Sequence, residues 1–301
     1  MSIRPLTESD IPAMTALARR GLEFESLDQE LIREKTIGAA DFDPDLGLAV
    51  EEGGRLVGFA QGVVAGELDG RPKGCVRIFC IDRAYRRQDH GTRLFDEMEQ
   101  RLRAKGAGII TIMDSPANYL TPGVDFRYTH TYCFLLKRGY TVFRENHNMR
   151  CNLDIDAWPD LDAQVANILE TGLEIRRARP EDKPAIMDLL IQEWRGWVPE
   201  VTSALENPEH TLHIAVQGGK VLAFAAYQGN NKTLPFFGPM GTSPSLRGRG
   251  VGGVLLRLCL RDLARQGWGY AIIPWVGPVG FYVNYCGAWI DRCFWAYKKE
   301  V

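Results

Sequence analysis

No Cys-x-x-Cys pair occurs in this chain, and no apolar run approaches the length of a membrane span. Seven cysteines, at 75, 80, 133, 151, 259, 286 and 293, are scattered and odd in number, which argues against a disulfide framework or a thiolate zinc site. Cys75 and Cys80 fall in a strand-like run, where small buried thiols are common. A transmembrane helix needs roughly 18 apolar residues, and the N-terminal "MSIRPLTESDIPAM" has no apolar signal region. An excess of one charge is missing as well. The 36 Lys and Arg are interspersed with 38 Asp and Glu, for a net charge of −2. Neither nucleic acid nor an anionic membrane is therefore expected as main partner. A soluble cytoplasmic protein is the expectation.

What is present is enough for two cores. The 301 residues are 45% hydrophobic and 25% charged, a length natural for two domains of about 150 residues each. The chain is also written twice. "IRPLTESDIPAM" from Ile3 answers "IRRARPEDKPAI" from Ile175, and "GGRLVGFA" (53–60) answers "GGKVLAFA" (218–225). The Gly-Gly pairs between apolar runs read as hairpin turns. "YRRQDHGTRLF" (85–95) then answers "LRGRGVGGVLL" (246–256), each opening an amphipathic helix, and an apolar strand follows in each half at 108–113 and 269–275. Three matched stations in one order mark a duplicated domain. The expected division is 1–155, a connector with a short helix at 156–172, and 173–301. The alternation gives an α/β (α+β) class, each half a mixed, mostly antiparallel sheet flanked by helices. In the second half Val251, Val254, Leu255, Leu258 and Cys259 form one stripe, with Arg257, Arg261 and Arg265 on other faces, which reads as a surface helix with one buried side.

The most informative stretch is "SPSLRGRGVGGVLLRL" (243–258), with glycines at 248, 250, 252 and 253 and arginines at 247, 249 and 257. Its G-x-G-x-x-G spacing is not a dinucleotide fingerprint. "TSPSLR" separates it from the preceding strand, and no acid for a ribose hydroxyl occurs in "GWGYAIIPW" about 20 residues on. No Lys-Ser/Thr follows, which excludes a Walker loop. The local physics remains. A helix starting near Val251 presents unpaired N–H groups and the positive end of its dipole. Arg247 and Arg249 add charge suited to phosphate oxygens. A pyrophosphate is the anion that fits.

Here the sequence resembles the GCN5-related N-acetyltransferases, whose acetyl-CoA loop is written Q/R-x-x-G-x-G/A. "RGRGVG" (Arg247 to Gly252) fills every fixed place. The likeness covers both halves and is most specific between Gly238 and Leu256. It implies a tandem member that takes acetyl-CoA (coenzyme A), held by Arg247, Gly248, Arg249, Gly250, Val251, Gly252 and Gly253. It also implies that Met240, Gly241 and Thr242 run beside the pantetheine arm. In "GFYVNYCGAW" Tyr282 corresponds to the family's proton donor for the departing thiolate, with Tyr285 as the alternative because the stretch has one residue more than the family's pattern.

The two copies differ. "RRQDHG" (Arg86 to Gly91) keeps the arginine and the last glycine, but Asp89 stands in the first glycine place. A carboxylate there is expected to cap the helix and to repel a diphosphate, with His90, if protonated, restoring part of the binding. Leu135 stands where the first copy would have its tyrosine. The first copy is thus expected to be degenerate and the second catalytic. Glu193 and Glu200 are candidate bases, and Trp194, Trp197, Trp275 and Phe281 suggest an aromatic acceptor pocket. No cysteine falls where a covalent acyl carrier is expected, which favours direct attack in a ternary complex. The acceptor implied is a primary amine on a small molecule. A non-catalytic acyl-CoA sensor and an acyltransferase for longer chains are the rival readings.

Overall fold

The computed structural model describes residues 1–115 and 117–301. The chain divides into two compact units, Met1–Asn146 with Cys293–Val301 as unit 1 and His147–Arg292 as unit 2.

Unit 1 opens with β1 (Ser2–Pro5), α1 (Ile11–Gly21) and α2 (Gln29–Lys35), then the hairpin β2 (Gly47–Glu52) and β3 (Arg55–Leu68). β4 (Arg71–Ile81), α3 (His90–Ala104), β5 (Ile109–Ile112), the two-residue β6 (Val124–Asp125), α4 (Thr129–Lys137) and the start of β7 (Thr141–Asn152), whose residues from His147 belong to unit 2, follow. Unit 2 contains α5 (Leu161–Leu169), β8 (Glu174–Arg177), α6 (Lys183–Glu193), α7 (Val198–Glu206), β9 (Leu212–Gln217) and β10 (Lys220–Tyr227). It continues with β11 (Phe237–Thr242), α8 (Val251–Arg265), β12 (Tyr270–Ile273), α9 (Val279–Cys286) and the start of β13 (Trp289–Glu300). The order expected from the repeat is the order observed.

The hairpins form because Gly53 and Gly54 (φ +57° and +74°) and Gly218 and Gly219 (φ +56° and +76°) take the two left-handed positions of a tight turn. In unit 2 the sheet order is β11-β10-β9-β8. Alternation along β10 sends Ala223, Ala225 and Tyr227 to the α8 side and Phe224 and Ala226 to the α6–α7 side. Fully burying a ring such as Phe224 contributes about 1.5–3 kcal/mol.

One parallel pairing in each copy prepares a site. In unit 1, β4 and β5 pair in parallel from Lys73↔Ile109 to Val76↔Ile112. β5 then stops while β4 runs on to Ile81, and among the described residues no strand pairs with the edge of its last residues on that side. In unit 2 a single parallel bridge joins Phe236 to Ile272, and β11 likewise continues past the end of β12.

Three expectations are revised. The connector is part of unit 2, because Leu161, Val165 and Ile168 of α5 pack into its core. The helix α8 is also more than a surface helix with one stripe. Leu256, Arg257, Leu260 and Asp262 are buried as well, and Arg257 donates to the Tyr285 carbonyl and to Gln164 of α5, both at 3.0 Å. The unit boundaries also differ from 1–155 and 173–301 in the final strand. From Tyr297↔Ile112 to Glu300↔Ile109, β13 pairs antiparallel with β5, while the end of β7 pairs with β12 from Met149↔Ile273 to Asn152↔Tyr270.

Candidate active site

Thr242 ends β11, a short turn spans Pro244–Leu246, and α8 begins at Val251. Between them Arg247 donates through Nε to the Thr242 carbonyl at 3.3 Å, which pins the loop to the strand. Gly248 and Gly250 sit at φ +76° and +77°, backbone that disfavours any side chain. Arg247 to Gly250 are exposed, and no side chain caps the helix. Among the described residues the N–H groups from Gly248 to Gly253 meet no protein acceptor, since the first helical bond is Val254 N–H to Gly250.

The other two glycines serve packing. A Cβ on Gly252 would stand 3.2 Å from Thr242 Oγ1 and 3.4 Å from Met240 Cε, so loop and strand converge there. A Cβ on Gly253 would stand 2.0 Å from the Tyr285 ring, which occupies that face of the helix. Gly241 is likewise covered, with Trp194 ring carbons 2.7–2.9 Å from where its Cβ would be.

Tyr282 is 7% exposed and packs edge-on against Phe237 at 6.2 Å and Phe281 at 5.1 Å. Burial pushes its phenol well above the ordinary value, so it holds its proton. Glu193 is exposed and accepts from Gln192 at 3.1 Å, whereas Glu200 is buried. Trp197 stacks on Trp194 at 5.6 Å.

Unit 1 repeats the loop and adds a large cavity. Arg86 Nε donates to the Ile81 carbonyl at 3.2 Å, the counterpart of the Arg247 bond. Arg87 and Asp89 hold the left-handed places of Gly248 and Gly250, both at φ +61°. Asp89 does not cap α3, contrary to expectation. Capping requires extended backbone at that residue, and Asp89 is left-handed. His90 is also not available to an anion, because it is buried and bonded to Glu52. The cavity measures about 1300 Å³ and is lined by Phe79, Cys80 and Ile81 of β4, Arg86 and Gly91 of the loop, and Phe134 of α4. Arg83, Arg87, Lys137, Arg138 and Lys299 surround it with positive charge, against Glu23 and Asp89. Two cysteines, Cys80 and Cys133, are thus on a cleft wall. Burial pushes the Cys80 thiol up to about 12, which leaves it unreactive as a nucleophile. The sequence signals for this cleft were Arg86 and Gly91, and Asp89 obscured them.

Residues 11–119 and 172–283 each match the profile of the Acetyltransferase (GNAT) family. The chain belongs to that family. It is a GNAT-type N-acetyltransferase, of a family that generally uses acetyl-CoA and acts on small-molecule or protein substrates. No curated protein matches it significantly. Its fold resembles the GCN5-related glucosamine N-acetyltransferase region of a fungal multi-domain GH3 β-N-acetylglucosaminidase, at 17% identity and TM-score 0.80. That match covers 99% of this chain and 38% of the fungal protein. A GCN5-related N-acetyltransferase from Sphaerobacter thermophilus aligns over 99% of this chain and 95% of its own, at 17% identity and TM-score 0.69. A tandem GNAT protein from the clavulanic acid biosynthesis pathway aligns over 99% and 98%, at 16% identity and TM-score 0.65. At these identities the likeness is one of fold. Among the described residues of this GNAT protein no helix is long and apolar enough to cross a membrane.

Of the residues expected at the GNAT coenzyme site, Met240, Thr242 and Gly252 converge, Arg247 braces the loop, and Gly248 and Gly250 shape it. Arg249 is exposed, Val251 points into the core, and Gly253 lies beneath Tyr285.

Proposed function

We propose that this GNAT protein transfers an acetyl group from acetyl-CoA to a primary amine of a small molecule by direct attack, with the coenzyme in unit 2. The observation that supports this reading most is the run of N–H groups from Gly248 to Gly253 without a protein acceptor, beside exposed Arg247 and Arg249. Such a run, at a helix start with no capping side chain, suits a diphosphate. Bound acetyl-CoA supplies the acetyl group as a thioester. Met240 to Thr242 orient the pantetheine arm along the bare edge of β11, and their backbone polarises the carbonyl. Tyr282 holds a proton on its hydroxyl for the leaving sulfur. The amine is the nucleophile, and the slightly acidic balance (net charge −2) favours a small cationic acceptor over a nucleic-acid-bound one.

A second reading places the coenzyme in unit 1. The 1300 Å³ cavity favours it, since that cleft joins a bare strand edge to a loop of the same conformation. Calorimetric titration of coenzyme A separates the two. Gly250→Asp sets a carboxylate in the unit 2 loop and is expected to weaken binding by on the order of a thousandfold. Gly91→Asp does the same in unit 1, where a Cβ meets Phe134 at an unstrained 3.8 Å, and is expected to leave affinity within about threefold. The reverse pattern moves the coenzyme to unit 1. Release of free thiol across a panel of primary amines then identifies the acceptor.

A further inference from the structure

The geometry points to Trp194 as the residue that restricts the transferred acyl group to acetyl. This rests on the reading that places the thioester along Met240 to Thr242. Trp194 terminates α6, and its indole lies directly on the backbone of Gly241. Three of its ring carbons would be 2.7–2.9 Å from a Cβ there, so the absence of a side chain at 241 is what admits the ring. The ring is also immobilised. Trp197 stacks on it at 5.6 Å and 19°, and both rings meet Phe224 edge-on, at 5.8 and 6.3 Å. Phe224 is fully buried and is the cross-strand partner of Gly241.

The other copy shows what the same position does without the indole. Leu22 ends α1 as Trp194 ends α6, and Cys80 holds on β4 the place that Gly241 holds on β11. Leu22 and Cys80 both line the large cleft of unit 1, so this position faces the ligand side of its copy. In unit 2 a ring pair braced by Phe224 stands at that place. A two-carbon acyl group ends before it. A longer chain meets an apolar wall that moves only if the stacked rings come apart, and overfilling a packed site is penalised steeply.

Calorimetric titration of the intact chain with coenzyme A, acetyl-CoA and hexanoyl-CoA tests this without knowledge of the acceptor. The wild type is expected to bind hexanoyl-CoA on the order of a hundredfold more weakly than acetyl-CoA. Trp194→Leu, which installs the residue of the other copy, is expected to narrow that gap below about tenfold and to leave coenzyme A affinity unchanged. Equal binding of both thioesters by the wild type overturns the proposal, as does an unchanged gap in Trp194→Leu. Loss of coenzyme A affinity in Trp194→Leu also overturns it, because the ring would then hold the coenzyme and set no limit on the chain. Gly250→Asp with unaltered coenzyme A binding would sink the underlying placement in unit 2, a result distinct from any chain-length outcome.

Discussion

Asp262 binds three groups inside unit 2. It accepts from His213 Nε2 and from Arg177, each at 2.6 Å, and from the Tyr227 hydroxyl at 3.4 Å. Burial lowers the pKa of His213 below its ordinary 6.5. For Asp262 burial acts upward, but the bonds from His213 and Arg177 outweigh it and hold the carboxyl low. The unfolded chain therefore takes up a proton at His213 before the folded chain does, so stability rises with pH across that interval. Denaturant titrations are expected to show stability falling as pH drops below about 6.5, with the Asp262 contribution lost only below about 4. His213→Gln is expected to flatten the first interval and leave the second. Tyr282 supplies a different expectation. A phenol held protonated by burial produces no alkaline limb of its own, so the rate is expected to rise with amine deprotonation and then level off. Tyr282→Phe, which keeps the ring contacts with Phe237 and Phe281, is expected to lower kcat roughly a hundredfold. Tyr285→Phe should leave it within about threefold, and equal effects from both would remove Tyr282 as the acid.

The helix α8 joins two functions, a loop for an anion at its start and a packed core along its length. Gly253 is where they meet, since Tyr285 of α9 rests on its bare face. Gly253→Ala is expected to destabilise the fold by roughly 1–3 kcal/mol. With Tyr285→Ala the same change should become neutral or stabilising, because alanine is the better helix former by up to about 1 kcal/mol. A double-mutant cycle without coupling would show that the contact contributes nothing. The glycine turn, the hairpins and the helix spacing were all legible in the sequence, because each depends on residues close together in the chain. Arg257 was not. Its spacing reads as solvent-facing, and only the cover of α5 makes it buried. Asp89 misled for a related reason: its residue type says cap, whereas its backbone is left-handed (φ +61°) and its side chain makes no capping bond. Trp194 over Gly241 was legible only as an aromatic of uncertain use, since the contact spans α6 and β11.

The strand β13 brings Cys293–Val301 into the sheet of unit 1. Its residues Phe294, Ala296 and Tyr297 are fully buried, and its last four pair with β5, all of whose residues are buried too. Repeat boundaries read from the sequence could not show this, because strand pairing over such a separation leaves no periodic trace. A chain stopped after Arg292 is expected to expose Ile109, Ile110 and Ile112 along an unpaired edge and to aggregate. Supplying 289–301 as a separate peptide should restore monodisperse protein in light scattering. Isolated 1–155 is expected to behave like the truncated chain. A monodisperse, cooperatively melting 1–155 would refute that expectation.

The strand also sets a timetable. Unit 1 precedes unit 2 in the sequence, yet its sheet gains the β13 neighbour of β5 only from Tyr297–Glu300. At about 5–20 residues per second, the early half waits roughly 10–30 s on the ribosome with a raw edge before its closing piece arrives. Whatever shields nascent chains in the cell must bridge that interval.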